Sequence, residues 1–138
     1  DKETGSLELL DYVAVVDCGT PINPNLARVQ TEGGIGQGIG MALYEDIQYN
    51  EKGQLRNNSF MQYKIPTRQD VGKIRVEFAP SYEKSHPFGA KSIGEIVIKT
   101  PCPAIANAVD HAVGVRIREM PITAEKIAME LLKRQENK

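Results

Sequence analysis

Glu95 follows a glycine and precedes an apolar run, in Phe88-Gly89-Ala90-Lys91-Ser92-Ile93-Gly94-Glu95 with Ile96-Val97-Ile98 behind it. Partial withdrawal of a carboxylate from water raises its proton affinity and makes it a better base. A helix cap or one half of a salt bridge is the blander use of a glutamate in such a loop. The second chemical arrangement is Gln30-Thr31-Glu32-Gly33-Gly34-Ile35-Gly36-Gln37-Gly38-Ile39-Gly40. No register of it fits GxGxxG, and neither Lys91-Ser92 nor Lys99-Thr100 has the preceding glycines of GxxxxGK[ST], so nucleotide-loop readings fail. The glycines either let another backbone pack close or let a ligand approach, and both uses stay open. Gln30 and Gln37 tilt the balance toward a ligand, because a primary amide offers donors and acceptors together and suits a flat, polar heterocycle such as a pterin. Cys18, Cys102, His86 and His111 match none of the compact zinc-ligand spacings. Ser59, Ser81, Ser85 and Ser92 have no credible His/acid arrangement for nucleophilic catalysis.

The elements that must position these residues are legible as patterns. Leu7–Val16 is rich in β-branched and aromatic residues and ends in a continuous apolar run, as a core strand does. A loop with two prolines and a glycine follows, and Asn23 then caps a helix over Pro24–Tyr44 with proline at its first position. Five glycines inside that helix each cost about 1 kcal/mol relative to alanine, so close packing or a bound group must offset several kcal/mol. Glu45–Asn57 reads as a β-hairpin turning at Glu51-Lys52-Gly53, Ser59–Ile65 as irregular or a short helical turn, and Ile74–Ala79 as a half-buried strand. Pro103–Val113, closed by Gly114, and Thr123–Leu132 read as helices, with Val115–Arg118 between them as a short strand. The tail 133–138 is expected to fray.

The chain has 138 residues, 41% hydrophobic and 25% charged, with a formal net charge of -1, so a single domain over 1–138 is expected and no positive field attracts nucleic acid or an anionic membrane surface. No stretch approaches the roughly 20 apolar residues of a membrane span, and two distant cysteines without CxxC fit a reducing compartment, so a cytoplasmic location is expected. Asp1–Gly5 resembles a hairpin turn whose earlier strand is missing, which together with the absence of an initiating methionine reads as a fragment or a processed chain.

Several motifs in order carry a resemblance. Val16-Asp17-Cys18-Gly19, Ile22-Asn23-Pro24, the Gln30 to Gly40 helix, Glu45, Tyr63-Lys64-Ile65-Pro66, Gly89 to Glu95 and Pro103-Ala104-Ile105-Ala106-Asn107-Ala108 resemble the C-terminal end of the molybdopterin-binding domain of the xanthine dehydrogenase and aldehyde oxidase family. The resemblance implies an α+β fold with a mixed sheet covered by helices, forming the second half of a molybdenum cofactor-binding domain. It implies that Glu95 lies beside the molybdenum as the base of a hydroxylation that takes its oxygen from water. It also implies that Gln30 contacts the pterin, with Gln37, Gly33, Gly34, Ile93 and Gly94 around it, and no residue of the chain is expected to ligate the metal. Purines or related N-heterocycles are the expected substrates. Other pterin contacts, and iron–sulfur clusters and FAD on partner modules, would lie outside this chain, which alone is expected to be inactive. Gly34→Ala is expected to weaken cofactor retention more than it perturbs the fold. A non-catalytic assembly or binding domain that keeps the fold is the competing expectation.

Overall fold

The computed structural model describes residues 1–136, and its backbone follows the expected order with shorter strands. Strand β1 spans Asp11–Val16, helix α1 Pro24–Leu43, strand β2 Lys73–Phe78, helix α2 Pro101–Val113 and helix α3 Ala124–Glu136. The architecture is α+β. The expected mixed sheet is corrected to two parallel strands, β1 and β2, in the register Asp11↔Lys73 through Val16↔Phe78. Antiparallel pairing among the described residues is confined to two isolated bridges, Gly19↔Ala90 and Tyr49↔Leu55. A parallel pair needs a long crossover, and α1 with the segment 44–72 provides it.

Helix α1 starts as its sequence dictates. The Leu26 N–H donates to Asn23 Oδ1 at 3.1 Å, and Pro24 occupies a position whose N–H has no intrahelical partner. Ala27, Thr31, Ile35, Gly38, Ile39 and Ala42 form its buried face. Thr31 is fully buried and donates its hydroxyl to the Ala27 carbonyl at 2.8 Å, so the polar atom carries its own partner into the core. Ile35, Ile39, Val76, Ile105, Val109, Val115, Ile122 and Ile127 join α1, α2, β2 and α3 in one apolar cluster.

Helix α2 opens two residues earlier than expected, at Pro101, and closes at Gly114, which has a left-handed φ of 71° and donates its N–H to the Asp110 carbonyl at 2.7 Å. Helix α3 is capped by Thr123, which accepts from the Lys126 N–H at 3.2 Å. It continues through Glu136, across the start of the segment expected to fray; residues 137 and 138 lie outside the described residues. Two further expectations are corrected. Val115–Arg118 alternates in burial, with Val115 and Ile117 inside, yet it is not a strand, because no segment among the described residues offers it a ladder. The hairpin over Glu45–Asn57 is reduced to the Tyr49↔Leu55 bridge and its turn, where Asn50 Oδ1 accepts from the N–H groups of Lys52 and Gln54, both at 2.9 Å. The side chain of Asn50 holds the turn where a ladder was expected.

Candidate cofactor site

The segment that carries Glu95 is tied down at the carboxyl end of β1. The Lys91 N–H donates to the Cys18 carbonyl at 2.7 Å and the Thr20 N–H to the Gly89 carbonyl at 2.9 Å. Asp17, the first residue beyond β1, accepts from Lys91 Nζ at 2.7 Å, from the Gly19 N–H at 3.1 Å and from the Ser81 hydroxyl. The Lys91 ammonium first, then the Ser81 hydroxyl and the Gly19 N–H, holds the Asp17 carboxyl well below the usual carboxylate range. The pairing of these two residues was not visible in the sequence, because 74 positions separate them.

From this anchor the turn 94–98 runs along α1, and the helix glycines make room for it. A Cβ on Gly34 would overlap the Val97 side chain, and one on Gly38 would stand 2.6 Å from Pro101 Cγ and 2.9 Å from the Ile98 carbonyl oxygen. Val97 is thereby buried to 3% exposure, and this packing offsets the glycines' helix penalty. Gly33 and Gly36 differ: a Cβ on either meets nothing within 4 Å. The earlier expectation for Gly34→Ala is therefore corrected, since the added methyl strikes the turn itself and perturbs the fold directly.

Gln30, Gly33, Gly34 and Gln37 from α1 and Gly94 and Glu95 from the turn line one open groove of about 630 Å³, with Val29, Ile98 and Lys99. Ile93 lies in an adjoining concavity of about 470 Å³, which shares Gln30 and Gly94 with the groove. The structure thus brings together the candidate residues from two segments some 60 positions apart in sequence. Lys99 and Ile98 were missed; nothing in their sequence surroundings distinguished them from any surface lysine and any apolar residue. One expectation fails in its physical detail. Glu95 is exposed, with no hydrogen bond or ion pair among the described residues, so this chain does not supply the desolvation its apolar neighbours suggested. Of Ile96, Val97 and Ile98 only Val97 is buried, and the carboxylate sits on the rim of an open wall.

The groove's donor set fits a flat polar cofactor. Gln30 and Gln37 are exposed and their amides make no hydrogen bond among the described residues, while Gly33 leaves an uncovered strip of helix between them. Cys18 and Cys102 are free, and burial pushes both thiols up, so neither is an activated nucleophile.

Residues 1–72 match the family model described as "Molybdopterin cofactor-binding domain". This chain is a molybdopterin-binding domain of the xanthine dehydrogenase and aldehyde oxidase family. The domain is 40% identical over 134 residues to the probable hypoxanthine oxidase XdhD of Escherichia coli, covering 96% of this chain and 14% of that protein. It superimposes on quinoline 2-oxidoreductase from Pseudomonas putida 86 with a TM-score of 0.87 at 36% identity, over 94% of this chain and 17% of the other. CO dehydrogenase from Oligotropha carboxidovorans gives a TM-score of 0.89 at 29% identity, over all of this chain and 18% of the other. The domain therefore spans about a sixth of each of these proteins. Among the described residues no helix is long and apolar enough to cross a membrane.

Proposed function

We propose that this domain forms one wall of the catalytic site of a cytoplasmic molybdenum hydroxylase that oxidises a purine or related N-heterocycle with water as oxygen source, with Glu95 as base. The observation that carries this reading is the shared groove of Gln30, Gln37, Gly33, Gly94 and Glu95. The names of two relatives, a hypoxanthine oxidase and a quinoline oxidoreductase, support the substrate class, while CO dehydrogenase shows how far chemistry varies on this fold.

In this reading Gln30 and Gln37 bind the edge of the pterin through their free amides. Gly33 and Gly94 let it approach the backbone, with Gly34 and Ile93 beside them. The molybdenum cofactor, when bound, supplies a two-electron acceptor and lowers the pKa of water-derived oxygen. Glu95 receives the proton on a carboxylate oxygen, and its turn, packed onto α1 through Val97, places the residue at the groove. Residues 1–138 act as a single domain within a larger molybdenum-binding subunit, and iron–sulfur clusters and FAD on partner modules carry the electrons away. Without that remainder the chain is inactive.

Glu95→Gln in the assembled enzyme tests the assignment. The amide keeps shape and polarity but cannot take a proton, so turnover is expected to fall by at least about 10²–10⁴-fold while molybdenum content stays at the wild-type level. Unchanged turnover with full metal content refutes Glu95 as the base and favours the assembly role.

A further inference from the structure

Parallel sheets occur with both faces covered, and a pair of strands is marginal by itself, yet β1 and β2 are the whole sheet among the described residues. The Lys73 N–H donates to the Leu10 carbonyl at 3.0 Å and the Ala79 N–H to the Val16 carbonyl at 2.9 Å. That phase turns the backbone groups of Tyr12, Ala14 and Val16 toward β2 and those of Asp11, Val13 and Val15 away from it. The outward groups of Val13 and Val15 have no backbone partner among the described residues. A groove of about 350 Å³ runs beside β1, with Ile96, Val97 and Thr100 on its opposite bank.

Side-chain chemistry separates the two strands. Val13 and Val15 are 55% and 70% exposed, whereas their register neighbours on β2 are Arg75 and Glu77; Asp11, which pairs with Lys73, carries the charge of β1 at its start. Charges of that kind protect a sheet margin that faces water, and β1 has none between Tyr12 and Val16. The total surface points the same way: the chain exposes 9837 Å², against about 7100 Å² for a free-standing monomer of 15.2 kDa. The excess, about 2700 Å², exceeds the roughly 800 Å² that one partner contributes to a standard interface and matches an obligate one.

We propose that the free edge of β1 receives a β-strand from the remainder of the molybdenum-binding subunit, seated between β1 and the Ile96–Thr100 turn. This rests on the reading above that the domain works inside a larger subunit. A backbone edge with unpaired donors and acceptors selects a strand, and the exposed valines select alternating apolar side chains on it. The remainder of the subunit is favoured over a second copy because the same fold occupies 17–18% of single longer chains in the two solved relatives. The docked strand backs the turn that bears Glu95 through Ile96, Val97 and Thr100.

The test is hydrogen exchange with residue-level fragmentation on the complete assembled subunit, alongside its molybdenum content. The amides of Val13 and Val15 are expected to exchange about 100-fold or more slower than free amides. Val15→Lys should abolish that protection, while Glu77→Lys, on the charged strand, leaves it intact. Free exchange at Val13 and Val15 in a molybdenum-containing wild type overturns the docking alone. Protected amides in a metal-free protein leave the docking standing and count against the hydroxylase reading. Protection that vanishes when a dimer is diluted to monomer assigns the edge to a second copy and overturns the proposal; the wild-type measurement decides even where Val15→Lys does not fold.

Discussion

Gly33 and Gly34 are adjacent, yet a methyl group added to one meets open groove and added to the other meets the Val97 side chain. Opposite effects follow. Gly34→Ala gains about 1 kcal/mol of helix propensity but overpacks a filled contact at about 1–3 kcal/mol, so a net loss of stability is expected in urea unfolding. Gly33→Ala keeps the propensity gain of about 1 kcal/mol unopposed and should raise the unfolding midpoint. If the pterin rests on this strip, the same substitution lowers cofactor content in the assembled enzyme. Gly36→Ala is the control, equally open but turned toward Glu45 and Pro66, and should stabilise without changing cofactor content. A stabilised Gly33→Ala enzyme with full cofactor would place the pterin elsewhere. In the sequence the five glycines were indistinguishable. Their division between packing and open groove depends on what lies opposite each one: the turn 94–98 and Pro101 for Gly34 and Gly38, Glu45 and Pro66 for Gly40, and nothing for Gly33 and Gly36.

At the scale of elements, the site depends on how the end of β1 grips the segment 89–91. Asp17 is central to this grip, and its effect on stability has a definite sign. Because Lys91, Ser81 and Gly19 depress the carboxyl's pKa in the folded state, the stabilisation is complete above the unfolded value of about 4 and is lost as pH falls below it toward the lower folded value. Asp17→Asn should therefore lower the urea midpoint at neutral pH, and the gap from wild type should narrow between about pH 4 and pH 2. A gap that is constant with pH would mean that the ion pair contributes nothing and only shape matters. Asp11 and Asp70 are also held low, by Arg75 and Thr67 respectively, so the Asp17→Asn variant keeps some acid sensitivity of its own. Three helix ends were legible at their caps, because Asn23, Gly114 and Thr123 act through contacts a few residues away, whereas the start of α2 was not, since no side chain caps it at Thr100. Val115–Arg118 was not: its alternation correctly gives which side chains are buried, but a strand also needs a partner, which alternation cannot report.

At the scale of the whole molecule, the sequence order β1, α1, β2, α2, α3 was readable, whereas the width of the sheet was not, since strands that complete it need not be in the same stretch of chain. The consequence can be measured on the chain expressed alone. An unfolded chain of 15.2 kDa exposes about 22,000 Å², so a domain of ordinary surface would uncover about 15,000 Å² on unfolding, and this one about 12,000 Å². Because the urea slope scales with surface newly exposed, it should be about one fifth smaller than for an ordinary domain of this length. Leu10, Val13, Val15, Phe60 and Met61 stand more than half exposed in the native state, so the isolated chain should also bind an apolar reporter dye before any denaturant is added. Supplying the rest of the molybdenum-binding subunit should displace the dye and restore the steeper slope together, since one buried interface is responsible for both. A steep slope and no dye binding in the isolated chain would show that it already satisfies its own surface, and the β1 edge would then have no strand to wait for.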